Sequence, residues 1–202
     1  MVIDSMASIV TSPQPLELKP NKAETTTFEY PLSESMRLYL HLEHQFAHFS
    51  HALTHQPNHF AHNAVNLLLS LIKAIDRPDL KTRLMQTLSQ YAPALKQLQQ
   101  IPHVNTEKLN LILTEINLHT QTLLNQYAKF GESLNGIEIL NQLKAHSSPN
   151  SGACPYKIPA YQLWLSQPNM KLSQQLNEWA DQLKSLSEIV NSILTMTRDS
   201  TQ

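Results

Sequence analysis

The sequence predicts an all-α fold: a helical bundle of about six to seven helices, reached through a short extended segment near Phe28 and closed by a long C-terminal helix. Three observations carry this. Glycine is nearly absent, with Gly131, Gly136 and Gly152 alone among 202 residues, while Leu, Gln and Ala are plentiful, a composition that favours helices over sheets. Apolar residues recur at three- and four-residue intervals, the period of a helix with one buried face. Prolines and polar clusters interrupt that pattern often enough to separate helices of ordinary length.

The elements follow in order. Residues 1–27 are rich in Ser, Thr, Pro, Lys and Glu with little periodicity, and are expected to form a flexible extension. The helical body is expected over residues 28–198, with 199–202 as a tail. Pro31 ends the extended segment, and Ser33 is placed to cap a helix starting near Glu34, whose carboxylate faces the positive helix end. Pro57 stops that helix. Phe60 to Ile75 form the second, apolar nearly all round through Val65, Leu67, Leu68, Leu69, Leu71 and Ile72, and so expected at the centre; Pro78 closes it. Residues 79–100 read as a third helix in which Pro93 should introduce a kink or a break. Thr106 followed by Glu107 caps a fourth, running to about Phe130, and residues 137–145 give a short fifth. The Ser-, Pro- and Gly-rich stretch from His146 to Pro159 is a loop leading into the short segment 159–168. Last, Leu172, Leu176, Trp179, Leu183, Leu186, Val190, Ile193 and Thr197 keep a 4-3-4-3 spacing, which predicts one helix about 40 Å long. Such a seam packs either inside one bundle or against a second copy. The dimer reading puts Leu176, Trp179, Leu183, Leu186, Val190 and Ile193 at the interface.

Composition excludes several function classes. With a formal net charge of −1 and 15% charged residues, there is no global basic field to draw in nucleic acid or an anionic membrane. The single cysteine, Cys154, cannot form an internal disulfide, fits a reducing compartment, and reads as an ordinary thiol. No apolar run approaches the length of a membrane span, and the N-terminus lacks the basic and apolar stretches of a signal peptide; the cytoplasm is the expected compartment. Three distant glycines build no phosphate-cradling loop, and GxSxG, HExxH, CxxC and GxGxxG are missing. The acidic residues are scattered and offer no pair for acid/base work. The expectation is therefore a non-enzymatic protein with no catalytic residue and no cofactor.

The histidines are left. Seven of ten fall between His41 and His62. At about 100° per residue, Leu38, Tyr39, Leu42, Phe46, Phe49 and Leu53 gather on one side of the first helix, and Arg37, His41, His44, His48, His51 and His55 on the other. The histidines therefore face away from the core. His44 with His48, and His51 with His55, are i,i+4 pairs at a spacing that chelates Zn²⁺, Ni²⁺ or Cu²⁺, yet two imidazoles do not close a site, and no metal site is assigned. The other property of an imidazole row is charge that rises as pH falls through the ordinary value near 6.5, beside an Arg37 that is always cationic. Such a face suits a modest interaction with an acidic peptide. The plainer alternative is a solvated polar face in which histidine stands where glutamine or lysine would serve.

FEYPLSESMRLYLHLE at 28–43 resembles the N-terminal signature of the ZapD family, bacterial adaptors of the tubulin-like division protein FtsZ, which begin Phe/Tyr-Glu-x-Pro-Leu-x-Glu-x-x-Arg. GACPYKIPAYQLWL at 152–165 is similar to the family's Gly-x-Cys-x-(Phe/Tyr)-x-(Leu/Ile)-Pro-x-x-x-x-Trp-Leu segment, including Pro159 and Trp164. DRPDLKTRLMQTLSQYAPALKQLQQIP and LNEWADQLKSLSEIVNSIL have the rhythm of its intervening and final helices, so the likeness runs in order from residue 28 to about 198.

The resemblance implies a cytoplasmic, symmetric homodimer that binds the C-terminal tail of FtsZ and cross-links or bundles its filaments at the midcell division site. It aligns Arg37 with the signature arginine, His41 with a position that is arginine in other members, and Arg77 and Lys81 with basic positions after the second helix. His44 and His48 extend that face, and Lys144 is the one basic residue in a region, Gly131 to Lys144, that is arginine-rich elsewhere in the family. Gln162 stands where other members have histidine. The partner-binding expectation is accordingly Arg37, His41, His44, His48, Arg77, Lys81 and Lys144. Family members continue into a smaller β-rich domain after the last helix, which this chain is expected to lack. Two other readings compete: a ZapD-like dimeric scaffold that has lost FtsZ binding, and a metal- or pH-responsive protein built on the histidine row.

Overall fold

Ser33 starts the bundle. Its Oγ accepts a hydrogen bond from the Met36 backbone N–H at 3.2 Å, satisfying one of the donors a helix start leaves open. The structure is a computed structural model that describes residues 29–54, 60–98, 105–146 and 155–199. Among the described residues there are eight α-helices, two 3-10 turns and no strand: α1 (Glu34–Thr54), α2 (Phe60–Ile75), α3 (Leu80–Leu98), α4 (Thr106–Asn125), a 3-10 turn (Glu132–Gly136), α5 (Glu138–His146), a second 3-10 turn (Pro155–Lys157), α6 (Pro159–Leu165), α7 (Asn169–Asp181) and α8 (Lys184–Asp199). The extended segment at Phe28, the 1–27 extension, His55 and Cys154 lie outside the described residues.

The all-α bundle stands as expected, and α2 has the predicted bounds. Its residues Phe60, Ala61, Ala64, Val65, Leu68, Leu71, Ile72 and Ile75 are buried, and it packs against α1 on one side and α7 on another. Pro93 sits inside α3 without ending it. The fourth helix stops at Asn125, earlier than its periodicity suggested: Gln126 closes the last i→i−4 bond to Thr122 O, then turns extended at φ −83° and ψ 100°, and its carbonyl accepts from Lys81 Nζ at 2.7 Å. A cation at the last carbonyls offsets the negative helix end.

The predicted single C-terminal helix is two. The chain turns at Gln182 and Leu183, where the Leu183 N–H bonds to Ala180 O at 2.9 Å. No proline or glycine forces this break. The cause is packing: α7 lies on α2 and α1, while α8 lies on α1 and α3, so one straight rod would carry an end off the core. The short turn keeps the apolar phase. Leu176, Leu186, Val190 and Ile193 are fully buried, and Leu183 and Trp179 nearly so, all within one chain. Within this one chain the six residues of the seam belong to the bundle core, the first of the two uses that such a spacing serves.

Polar ties hold the helices in register. Arg198 makes a two-pronged ion pair with Glu43, both contacts at 2.8 Å, joining α8 to α1. Tyr39 OH and Thr87 Oγ1, 3.0 Å apart and buried, join α1 to α3, and Tyr91 OH meets Thr197 Oγ1 at 2.7 Å between α3 and α8. Buried His119 places Nε2 2.9 Å from Ser192 Oγ, which donates in turn to Glu115, fastening α4 to α8. An aromatic stack runs through the other end of the bundle, with centroid spacings of 6.0 Å for His62 to Tyr161, 5.8 Å for Tyr161 to Trp164 and 5.6 Å for Trp164 to Trp179. Burial pushes the Tyr161 phenol well above its ordinary range, and its OH is satisfied by His62 Nδ1 at 3.0 Å. Such pairs add about 0.5–1.5 kcal/mol beyond the area they bury.

Candidate partner-binding surface

The outer face of α1 is as the angular count predicts. Arg37, His41, His44, His48 and His51 are exposed, whereas Leu38, Tyr39, Leu42 and Phe49 are buried beneath them. Arg37 Nη1 lies 3.1 Å from Glu34 Oε2, one turn back and equally exposed, a contact that orients the guanidinium and stabilises little. The rings of His44 and His48 are 4.2 Å apart between centroids and tilted by 56°. Among the described residues no group of three or more His, Cys, Asp or Glu side chains is arranged around a common point, so the pair offers two imidazoles and no third ligand.

A second cationic group meets α1 at its start. Arg83 on α3 donates through Nε to Asp79 Oδ2 at 2.6 Å and through Nη1 to Ser35 Oγ of α1 at 3.3 Å, while Arg77 Nε reaches the other Asp79 oxygen at 3.3 Å. The Arg83 hydrogen bond, followed by the charge of Arg77, holds the Asp79 carboxyl below the usual carboxylate range, and Asp79 raises Arg83 in return. Arg37, Arg77 and Arg83 thus stand against Glu34 and Asp79, one positive charge in excess, around the entrance to α1. Sequence reasoning named Arg37 and Arg77 and missed Arg83, although its i,i+4 spacing from Asp79 is the usual signature of a helical ion pair.

Because Asp79 is depressed in the folded state, its stabilising contribution is complete above its unfolded value near 3.9 and is lost as pH falls through the lower folded value. Asp79→Asn is therefore expected to flatten the fall of melting temperature between about pH 4 and pH 2. Parallel thermal scans of the two proteins across that range check it; curves of equal slope would remove the role given to Asp79.

The remaining predicted residues separate. Lys81 is committed to the α4 terminus through Gln126 O, which gives it a structural task. Lys144 lies on α5, half-buried, with Nζ 2.6 Å from Asn135 Oδ1. It lines a cleft of about 370 Å³ together with Leu69, Ile72, Lys73, Asp76, Lys129, Phe130, Gly131 and Asn135. Burial pushes the Lys144 ammonium pKa down, with Asp76 partly opposing this. Lys73 and Lys129 were not legible as members of a site, since α2, the turn before the first 3-10 segment and α5 are far apart in sequence. The cleft and the arginine group are joined through the α2–α3 turn, where Asp76 of the first is followed by Arg77 of the second.

Among the described residues no helix is long and apolar enough to cross a membrane. Fold and surface together define a helical-bundle protein that carries arginine, lysine and histidine on an outer face and in an adjoining cleft. The comparisons give that class a family. A family profile for ZapD, described as a cell division protein, matches residues 40–202. A cell division protein ZapD of Coxiella burnetii (strain RSA 331 / Henzerling II) is 38% identical over 179 residues, which is 89% of this chain and 69% of that protein. Counterparts of the same name from Nitrosomonas eutropha and Chromobacterium violaceum are 31% identical over 173 residues and 30% over 174, each alignment covering 86% of this chain and 69% of the relative. The chain belongs to the ZapD family of cell division proteins.

Proposed function

We propose that this chain is a cell-division adaptor that binds the C-terminal tail of FtsZ and cross-links or bundles FtsZ filaments at the cytoplasmic face of the midcell division site, acting as a homodimer without enzymatic activity. The observation that carries the reading is the exposed row of Arg37, His41, His44 and His48 along α1 in a chain of the ZapD family. Arg37 supplies permanent charge, and Arg77 and Arg83 extend it at the helix start. Contacts of this kind favour an acidic segment and steer its approach more than they deepen its affinity. Two copies present two such faces, which is what bridging neighbouring filaments requires.

The test is co-sedimentation with FtsZ filaments. Arg37→Glu/His41→Glu reverses the head of the row and is expected to abolish co-sedimentation while far-ultraviolet circular dichroism is unchanged, since both side chains are exposed. Capture of the parent protein on the FtsZ tail peptide, measured at pH 6.5 and at pH 8, is expected to be lost in the double variant. Unchanged co-sedimentation of the double variant counts against this face. No capture by the parent protein at either pH favours the scaffold that has lost FtsZ binding.

A further inference from the structure

The outer face of α1 reads the same in both directions. His41, His44, His48 and His51 are separated by 3, 4 and 3 residues, symmetric about position 46, and all four are exposed. We propose that His44 and His48 of two copies of this chain bind one Zn²⁺ between them, so that the ion joins two α1 faces. The inference goes beyond the FtsZ reading and does not depend on it.

Each half of the site is preformed on one helix. Residues four apart on a helix are surface neighbours, and the rings of His44 and His48 lie 4.2 Å apart between centroids, tilted by 56°. Zn²⁺ takes imidazole nitrogen at about 2.0–2.1 Å in a tetrahedral shell, which sets two such nitrogens roughly 3.3 Å apart. Exposed rings this close reach that spacing by rotation about their side-chain bonds, with the backbone in place. Neither ring is committed elsewhere: among the described residues no hydrogen bond or ion pair holds them, whereas His62 and His119 are tied to Tyr161 and Ser192. An all-nitrogen set suits Zn²⁺ and does not suit Mg²⁺ or Ca²⁺, which take oxygen.

Two imidazoles leave half of that shell open, and among the described residues no third ligand stands with them. The symmetric spacing supplies the rest. When two α1 helices face each other antiparallel about a twofold axis level with position 46, His44 of each copy comes level with His48 of the other, and His41 with His51, the self-complementarity that a twofold contact requires. Rows of residues four apart run about 26° off the helix axis, so the two facing pairs cross, as the opposite edges of a tetrahedron do. The surroundings allow the approach. Ala47 and Ser50 beside the pair are exposed and short, and the neighbouring Glu43 is held by Arg198 at 2.8 Å. Arg37 stands nine residues before position 46, about 14 Å along the axis, so antiparallel pairing keeps the two arginines about 27 Å apart. Water completing the shell on a single copy is the competing arrangement, and the two differ in stoichiometry.

Calorimetry and light scattering on the untagged, chelator-treated full chain, titrated with Zn²⁺ alone, test the site. Saturation at one Zn²⁺ per two chains is expected, with the mass of the metal-free protein at least doubled and then restored by EDTA. Co²⁺ in place of Zn²⁺ should give the intense visible bands of a tetrahedral shell. His44→Gln/His48→Gln should abolish both the saturable heat and the association while circular dichroism is unchanged. His48→Gln alone leaves one imidazole per copy and should lose the association too, which gives an answer if the double variant misfolds. His41→Gln/His51→Gln should stay within a few-fold of the parent; loss equal to that of His44→Gln/His48→Gln overturns the choice of ligands. Saturation at one Zn²⁺ per chain with no gain in mass would mean that water completes each pair, which overturns the bridge. Association that survives in His44→Gln/His48→Gln places the ion elsewhere and overturns the site. Heat that never saturates means an adventitious ion only and overturns it as well.

Discussion

Trp179→Ala is expected to lower the unfolding free energy by about 3–5 kcal/mol, the usual cost of emptying a large aromatic site in a core, and the melting temperature by on the order of 10 °C in a chain of this size. The side chain is 7% exposed and lies on Trp164 at 5.6 Å between centroids with planes 14° apart. Trp164 is held in turn by Gln175, whose Oε1 accepts from its indole N–H at 2.6 Å, and by the Tyr161 ring behind it. Removing one member leaves a void that neighbours fixed at both ends close poorly. Trp179→Phe keeps most of the stacked area and should cost roughly a third as much by area bookkeeping. The same variant decides between the two uses of the C-terminal seam. A residue spent inside one bundle destabilises by the same amount at every protein concentration, whereas an interface residue makes the loss concentration-dependent through mass action. Thermal unfolding of parent and variant over a hundredfold range of concentration separates them. An offset that grows as the protein is diluted, with monomer appearing in light scattering, would return Trp179 to an interface.

The histidine face, α2 and the break near residue 182 show where sequence reasoning reaches and where it stops. The bounds of α2 were legible because Pro57 and Pro78 bracket an apolar run, and proline acts through its own backbone, whatever its surroundings. Exposure of His41, His44 and His48 was legible because side chains on one helix have fixed relative directions. The turn at Gln182 and Leu183 has no such local cause. A two-residue turn keeps Leu183 and Leu186 in the apolar phase that Leu176 and Trp179 establish, so the spacing reads straight through it, and only the different partners of α7 and α8 reveal the bend. The cleft was hidden for a related reason. Lys144 entered through family resemblance, but Lys73 stands in the apolar run of α2 and Lys129 just after α4 with nothing local to link them, and their convergence is a product of tertiary packing. Lys81 illustrates the converse: a basic residue at a recognised basic position whose ammonium is engaged with the end of another helix.

Gly131→Ala is expected to cost about 2 kcal/mol, more than an exposed loop substitution usually does, from two separable sources. Gly131 has φ +71° and ψ 9°, left-handed backbone that an L residue enters at about 1–2 kcal/mol. A Cβ there also stands 3.1 Å from Ile75 Cδ1, against 3.5 Å from Leu183 and 3.8 Å from Leu134, so the crowding falls on one methyl group at the end of α2. Ile75→Val removes that methyl for about 1 kcal/mol of its own. In the Ile75→Val background the added cost of Gly131→Ala should then fall to the backbone share, making the double variant less destabilised than the sum of the singles. Strict additivity in denaturant titrations would mean that neighbours absorb the Cβ freely and that backbone conformation accounts for the whole effect. Gly131→Asn separates the sources from the other side, because Asn brings the same Cβ but tolerates left-handed φ better than Ala; it should lie between the parent and Ala. The turn matters to the cleft as well as to stability, since Lys129 and Phe130 enter it from the residues just before Gly131, and the Glu132 N–H bonded to Lys129 O at 3.1 Å fixes their direction. A Gly131→Ala protein that is destabilised but binds acidic peptide normally would show that the turn stabilises the fold without setting the geometry of the recess. Weakened binding at temperatures well below melting would show that the two are set by the same residue.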